Sequence, residues 1–227
     1  MKFKGVLMSN YKSGDIITIK GIEFVVLDTE KRNINRDGKL FILLKEPFGN
    51  TPFNNDNNNY IKSTLDKETR RWYSDFVIGI DEELIFKRDI GLLTMDGRMN
   101  YGTLHVNVAP LTFDEWRKYS RYIPKCETEY WLATGDDAPD YYGNTDRAMR
   151  IKPIGDYGRI FISSSCAVRP ALVVSEALVD TPKDDGLSKY STEQLFQELV
   201  ERTKTMTAIH ELAERVQKEN YNDQNIL

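Results

Sequence analysis

The pattern of apolar and polar positions near the start of the chain predicts a β-hairpin followed by a third strand. Residues 15–28 contain two runs rich in β-branched side chains, I-I-T-I and I-E-F-V-V-L, which are separated by Lys20 and Gly21. A Lys-Gly pair between two such runs suits a tight hairpin turn. Residues 40–44 form a short, continuous apolar run that ends before Pro47, which indicates a more deeply buried strand.

Two segments show the apolar spacing of amphipathic helices. In residues 60–76, apolar side chains recur at helical intervals between Lys and Arg, so this segment is predicted to be helical. A second helix is predicted over residues 113–122. Thr112 and Glu115 have the spacing of a capping box at its start, and Pro124 ends the pattern.

The remaining strands are predicted to be short and to come from distant segments. They cover residues 130–133, 149–151, 158–162 and 168–174. Two polar stretches, 49–59 and 135–146, are rich in residues that favour turns and are predicted to be surface loops. The conformation of residues 92–108 is left open, because glycine-containing turns interrupt it.

The last part of the chain is predicted to be a long amphipathic helix, residues 191–220, after a polar linker, residues 181–190. Its apolar positions follow a near-heptad seam: Leu195, Leu199, Met206, Ile209, Ala213 and Val216. A long helix without an apolar partner is only marginally stable. The seam is therefore expected to join copies of the chain in a homo-oligomer, with docking on its own domain as the alternative.

Composition and charge narrow the classes of function. A chain of 227 residues with 40% apolar content can build one sizeable domain plus an appendage. Its net charge of -4 supplies no general attraction to nucleic acid or anionic membranes, so neither is expected as a partner. Residues 1–8 are too short and interrupted for a signal peptide, and no run approaches the roughly 18 apolar residues of a membrane span. A cytoplasmic protein is expected.

The residues that could support catalysis do not form a recognisable set. Cys126 and Cys166 lack the C-x-x-C spacing and are expected to be reduced, buried thiols. A nucleophile needs a nearby base, and the histidines are His105 and His210. A Cys166–His105 pair is kept as a minor alternative. No catalytic residue, cofactor or metal ligand is predicted.

An acidic loop is the most distinctive polar feature. Five oxygen-bearing side chains fall within eleven residues: Asp136, Asp137, Asp140, Asn144 and Asp146. Loops of this kind can bind calcium, but the spacing matches no EF-hand loop, so a turn-rich loop is favoured over a metal site.

Aromatic and amide side chains near this loop predict a contact surface. Tyr141 and Tyr142 lie within it, and such residue types suit recognition of a protein or, as a second choice, a carbohydrate. The alternative is that the two tyrosines pack the loop onto the sheet. The predicted partner-binding residues are Asn57, Tyr60, Asp136, Asp137, Asp140, Tyr141, Tyr142 and Asn144.

Three large side chains in apolar segments are expected to be structural. Arg169 lies in an otherwise apolar strand, where a guanidinium must be fully hydrogen-bonded, to Asp side chains or backbone carbonyls. Trp116 and Trp131 are expected to belong to the core.

Six motifs follow one another in a characteristic order between residues 12 and 175. They are G-D-I-I-T-I-K-G-I-E-F-V-V-L-D, N-N-Y-I-K-S-T-L, L-L-T-M-D-G-R-M-N-Y-G, V-A-P-L-T-F-D-E-W-R-K-Y, Y-W-L-A-T and C-A-V-R-P-A-L. This order resembles a domain family of unassigned function that is common in phages and prophages of Gram-positive hosts. Tyr130 replaces the first Trp of the usual W-W-L-A-T, and Gly135-Asp136 replaces its usual Pro.

That family is distantly similar to the C-type-lectin-like and formylglycine-generating-enzyme fold. The resemblance implies an α+β domain over residues 1–180, with a twisted antiparallel sheet, two flanking helices and loops that present a surface to a ligand. The enzymes of this fold use two closely spaced cysteines, whereas Cys166 stands alone. Their activity is therefore not expected.

The resulting hypothesis is a phage-derived, non-enzymatic accessory protein that binds a macromolecular partner. A host-directed inhibitor of a bacterial defence system is favoured within this class. The alternative is a virion structural or receptor-binding component, with the C-terminal helix as its oligomerisation stem. An enzyme that uses Cys166 is the third possibility.

Overall fold

The computed structural model describes residues 11–30, 38–138 and 145–180. The chain divides into two units, Met1–Asp180 and Thr181–Leu227, and the described residues all belong to the first. The predicted linker and C-terminal helix lie outside the described residues. So do the six predicted seam positions, Leu195, Leu199, Met206, Ile209, Ala213 and Val216.

The described part of the chain is α+β, with mainly antiparallel sheets. Its strands are β1 (Ile16–Ile19), β2 (Ile22–Glu30), β3 (Lys39–Leu44), β4 (Phe48–Pro52), β5 (Ile85–Phe86), β6 (Arg88–Gly91), β7 (Thr103–Val106), β8 (Val108–Pro110), β9 (Tyr130–Gly135), β10 (Arg147–Ile151), β11 (Tyr157–Phe161), β12 (Ser165–Val168) and β13 (Pro170–Ser175). The α-helices among the described residues are α1 (Thr64–Phe76) and α2 (Phe113–Tyr119).

The described strands form three sheets, where the resemblance implies one. The first sheet has the order β1-β2-β3-β13-β5, and β8 also pairs with β13. The second has the order β11-β10-β9-β12-β4, and β6 and β7 form a two-stranded third. Among the described strands, the β12–β9 pair is parallel and the other pairs are antiparallel. The predicted strand over residues 168–174 is therefore divided between two sheets: Val168 ends β12 in the second, and β13 begins at Pro170 in the first.

The opening hairpin forms as predicted. Lys20 and Gly21 both have positive φ, 53° and 76°, and Ile19 pairs with Ile22 across the turn. A two-residue turn with positive φ at both positions matches the right-handed twist of its strands. Gly21 takes this conformation without a Cβ penalty, which is why the Lys-Gly pair is a usable signal.

Both helices form, and local caps fix where they begin. Helix α1 begins at Thr64, not near residue 60, because Lys62 has φ of 61° and Ser63 accepts a hydrogen bond from the Asp66 N–H as the N-cap. Helix α2 has the predicted capping box of Thr112 and Glu115, and a 3-10 turn, Ser120–Tyr122, follows it.

The prediction of one continuous surface loop over residues 49–59 is wrong. Strand β4 ends at Pro52 within it, and Thr51 and Asn58 are buried. The backbone oxygen of Thr51 accepts a hydrogen bond of 2.8 Å from the Trp131 indole nitrogen. Polar residues can therefore be buried here, because distant side chains satisfy their hydrogen-bonding groups.

The predicted structural residues lie in or against the core. Trp131 is fully buried in one core cluster, and Trp116 is half-buried at the edge of another, which includes Leu132. Arg169 is buried and donates to the backbone oxygens of Leu44, Lys45 and Pro124. Its guanidinium is thus satisfied by carbonyl groups, as predicted. Both cysteines are buried and free.

Candidate functional site

The candidate site begins with a turn, Thr94–Arg98, that is tied to the segment after β9. The Met95 N–H donates to the Gly135 oxygen at 3.2 Å, and the Asp96 N–H donates to the Asp136 oxygen at 3.3 Å. In the other direction, the Ala138 N–H donates to the Asp96 carboxylate at 3.4 Å. Two segments about 40 residues apart in sequence therefore hold each other in place.

Asn58 holds the segment after β9 in place through its side chain. Its side-chain nitrogen donates to the backbone oxygens of Asp137 and Arg147, at 3.0 and 2.8 Å, and its oxygen accepts from the Tyr101 hydroxyl at 2.5 Å. A Cβ on Gly135 would lie 2.7 Å from the Asn58 side chain, so glycine is required for this close approach. Asn58 is therefore a buried polar anchor for the post-β9 segment and the start of β10.

An acidic cleft lies between this turn, the post-β9 segment and the last two strands of the second sheet. The cleft has a volume of about 390 Å³. It is lined by Met95, Asp96, Asp136, Asp137, Met149, Tyr157, Gly158 and Arg159. Three carboxylates and one guanidinium thus converge around apolar side chains of Met and Tyr.

Asp136 is the buried charge of the cleft. Its carboxylate lies 3.1 Å from the Arg159 guanidinium, and 6% of its side chain is exposed, against 59% for Arg159. Burial raises the pKa of Asp136, and the contact with Arg159 opposes that rise. Arg159 therefore neutralises Asp136 while leaving most of its own donors open to solvent.

Three aromatic rings form a ridge beside the acidic cleft. Tyr157 meets Phe113 and Trp116 edge to face, with ring centroids 5.0 and 5.7 Å apart, and Phe113 stacks on Trp116 at 5.6 Å. The Tyr157 side chain still leaves 47% of its surface exposed. The ridge joins α2 to β11 and presents a fixed aromatic surface.

A second cleft lies on the other side of Met95 and has a volume of about 250 Å³. Its lining includes Thr94, Met95, Phe113 and the ion pair between Asp114 and Arg117, whose charged atoms lie 2.8 Å apart. Met95 lines both clefts, and the Phe113–Tyr157 contact connects them. We call the surface formed by Met95, Phe113, Trp116, Tyr157 and Arg159 the recognition face.

The structure brings two of the eight predicted partner-binding residues, Asp136 and Asp137, into the acidic cleft. Asn57 is half-buried, and its side-chain oxygen accepts from the Asn59 N–H at 2.9 Å within a local turn. Tyr60 was predicted wrongly, because it is 1% exposed and packs in the core. The other four, Asp140, Tyr141, Tyr142 and Asn144, lie outside the described residues.

The two residues considered for catalysis lie in different environments. Cys166 is buried in the core, and burial raises the pKa of its thiol to about 11. His105 is exposed, and its Nδ1 lies 2.6 Å from the Asp89 carboxylate on the neighbouring strand. Within the described ranges, no group of three His, Cys, Asp or Glu side chains is placed to hold a metal ion.

Sequence reasoning missed most of the recognition face. Met95 and Tyr157 were not singled out, and Trp116 was assigned only to the core. A signal was present in Tyr157, Arg159 and Phe161, which alternate with Gly158 and Ile160 along a strand that begins right after a glycine turn. The contact between this strand and α2 has no local sequence signature.

Comparison with protein-family models, with curated proteins and with solved structures found no match for this chain. Among the described residues, no helix has the length and apolar character needed to cross a membrane.

Proposed function

We propose that this protein is a non-enzymatic binding protein whose recognition face contacts another protein. The residue types of this face support the proposal, because Tyr, Trp, Phe, Met and Arg are the side chains enriched where proteins meet. The observation that carries it is the half-exposed Tyr157 ring, fixed edge to face on Phe113 and Trp116 beside a cleft. A ring already held in place loses little conformational entropy when it binds.

The state of the candidate nucleophile also favours binding over catalysis. The Cys166 thiol is buried and its pKa is raised to about 11, so it stays protonated near neutral pH. His105 is paired with Asp89 at the surface. Cys166→Ala is therefore expected to lower the free energy of unfolding and to retain partner binding.

The biological setting that we propose follows the motif order. We propose a phage-encoded protein, acting in the host cytoplasm, that inhibits a host defence component. Its finer architecture is proposed to be C-type-lectin-like, with two helices flanking the sheets and the long C-terminal helix joining copies of the chain. The alternative setting is a virion component.

A carbohydrate ligand is the second candidate, favoured by one observation. Tyr157 offers a flat apolar ring within the same cleft as the hydrogen-bonding groups of Asp136, Asp137 and Arg159. A sugar can pack its apolar face on such a ring while its hydroxyl groups bond to the polar neighbours. Binding of the chain on a glycan array, lost in Tyr157→Ala, would favour this candidate over a protein partner.

Affinity capture with matched variants tests the proposal. The tagged full chain, Tyr157→Ala and Ile78→Ala are used as baits in lysates of infected and uninfected host cells. Ile78 is 69% exposed and is not part of the recognition face, so it controls for loss of a large exposed side chain. A protein captured by the full chain and by Ile78→Ala, but at least about 10-fold less by Tyr157→Ala, is the expected result.

The lysate in which the partner occurs identifies the setting. A partner present in uninfected cells is expected for a host-directed inhibitor, and one found only after infection is expected for a virion component. The midpoint temperature of thermal unfolding of Tyr157→Ala must first be shown to lie within a few degrees of that of the parent chain. Capture of no reproducible protein, or equal capture by Tyr157→Ala, contradicts the proposal.

A further inference from the structure

Strand β11 ends the second sheet, and its backbone offers the basis for a specific mode of recognition. Within the described residues, β11 pairs with β10 alone. Their register runs without interruption from Arg147↔Phe161 to Ile151↔Tyr157. The strand contains neither Pro nor Lys and its pairing shows no bulge, so three of the usual features that block a sheet edge are absent from it.

Hydrogen bonds at both ends of this ladder show which backbone groups face outward. The Ile162 N–H donates to the Asp146 oxygen at 2.8 Å, and the Lys152 N–H donates to the Asp156 oxygen at 2.7 Å. Since strand residues alternate in direction, Gly158 and Ile160 direct their backbone groups toward β10. Tyr157, Arg159 and Phe161 direct theirs away from the sheet.

The outward groups are satisfied at the two ends and open at the centre. The Tyr157 N–H donates to the Asp156 side chain at 2.9 Å, and the Phe161 oxygen accepts from the Ser164 N–H at 2.9 Å. Among the described residues, none bonds to the backbone N–H or oxygen of Arg159. The stretch of outward backbone groups without a partner among the described residues is therefore centred on Arg159.

The side chains of β11 indicate which residues an added strand should carry. Tyr157 and Phe161 are 47% and 49% exposed, on the same face of β11 as Arg159. The Arg159 side chain is 59% exposed, and its guanidinium pairs with the Asp136 carboxylate at 3.1 Å. An antiparallel strand would place one residue opposite Arg159, where an acidic side chain is favoured, and apolar residues opposite the two rings.

We propose that β11 binds an extended segment of the partner protein by strand addition, with an acidic residue opposite Arg159 and apolar residues two positions to either side. This inference rests on the proposed function and specifies how the partner is recognised. A second copy of the chain is a poorer occupant, because antiparallel self-pairing centred on Arg159 would set two arginines opposite each other.

Synthetic peptides test the mode of binding. The probe is the capped peptide Thr-Val-Thr-Glu-Thr-Val-Thr, and its matched control has Lys in place of Glu. Binding to the full chain is followed by amide chemical shifts. We expect the Glu peptide to bind about 5-fold more tightly than the Lys peptide, and we expect Arg159→Glu to reverse that preference.

Backbone methylation separates strand addition from simple side-chain contact. The Glu N–H should donate to the Arg159 oxygen, so its N-methylation should weaken binding about 10-fold or more. N-methylation of the adjacent Thr, whose N–H points away from β11, is the control and should have a much smaller effect.

Three results would overturn the inference. They are equal binding of the two N-methylated peptides, absence of binding by the unmethylated Glu peptide at millimolar concentration, and protection of the Arg159 amide that grows with protein concentration, which assigns the edge to a second copy. If lysate capture still depends on Tyr157, the proposed protein-binding function stands although strand addition fails. Absence of any captured partner contradicts the proposed function itself.

Discussion

Strands β1 and β11 both lie at the end of a sheet, but among the described residues only β1 has an outward backbone group bonded to a segment from far along the chain. The Asp180 N–H donates to the Thr18 oxygen at 2.7 Å, and the Asp180 carboxylate accepts from the Lys20 and Gly21 N–H groups at 3.1 and 3.0 Å. One residue, about 160 positions away, thus bonds both to the centre of the β1 edge and to the turn of the hairpin.

On β11 the hydrogen bonds to outward backbone groups are confined to the strand ends. Asp156 and Ser164 are sequence neighbours of β11, and they satisfy only the Tyr157 N–H and the Phe161 oxygen. Segments that return to a sheet edge therefore decide which of its backbone groups stay available. An edge without such a segment keeps backbone groups for a partner.

Proline substitution on β11 should give the largest effect, because it tests which amides are bonded. Ile160→Pro removes an N–H that faces β10 and is expected to destabilise the fold by about 3 kcal/mol or more beyond Ile160→Ala. Phe161→Pro removes an outward N–H and should cost less than about 1 kcal/mol beyond Phe161→Ala. Urea unfolding of the four variants measures both differences. Similar proline penalties at the two positions would show that the assigned alternation is wrong.

Removal of the Arg159 side chain should give the next largest effect and should depend on pH. Burial already raises the pKa of Asp136, and Arg159→Leu removes the charge that opposes this rise. A group whose pKa is raised by folding loses its stabilising contribution as the pH increases through that pKa. The penalty should therefore be about 2 kcal/mol at pH 7, because a buried carboxylate is left unpaired, and should shrink as the pH falls toward about 4.

The double variant Asp136→Asn, Arg159→Leu is the control for this prediction. It has no buried carboxylate to protonate, so its unfolding free energy relative to Asp136→Asn should be nearly independent of pH in this range. Urea unfolding at pH 4.5 and pH 7 makes the comparison. A penalty for Arg159→Leu that is equal at both pH values would exclude the Asp136 pairing as its cause.

Removal of the Asp180 carboxylate should have a smaller effect on the free energy of unfolding. Asp180→Ala removes two hydrogen bonds to the turn of the first hairpin, and a loss of about 1–2 kcal/mol is expected. Asp180→Asn keeps an acceptor oxygen and should recover much of that loss. Amide hydrogen exchange at Lys20 and Gly21 should accelerate in the alanine variant. Unchanged exchange there would mean that the Asp180 carboxylate does not hold this turn.

Local signals allowed part of the fold to be predicted. The hairpin depends on the positive φ of Lys20 and Gly21, and α2 depends on the capping box of Thr112 and Glu115; both signals lie within a few residues of the structure that they specify. The strands β5 to β8 were not assigned. Strands β5 and β8 pair with the distant β13, and β6 and β7 pair across a glycine-containing segment that hides their relation. Val108, for example, pairs with Leu172 on β13.

The candidate site was predicted only where its chemistry was local. Asp136 and Asp137 were found because the acidic loop is visible in the sequence. The prediction of Tyr60 as a partner-binding residue was wrong, because Tyr60 is buried in the core. An aromatic residue at the end of an Asn-rich stretch gives no local sign of such burial. The Phe113–Tyr157 contact joins a helix to a strand 44 positions later, so only the tertiary fold reveals it.

Hydrogen exchange of single amides in the free protein tests the open edge most directly. The Arg159 amide should exchange quickly, because its N–H faces away from the sheet, whereas the Ile160 amide should be slow, because its N–H faces β10. The difference should exceed about 100-fold, as expected for a hydrogen-bonded strand amide beside a solvated one. Protection of the Arg159 amide equal to that of Ile160, at low protein concentration, would contradict the account of β11 as an edge available to a partner.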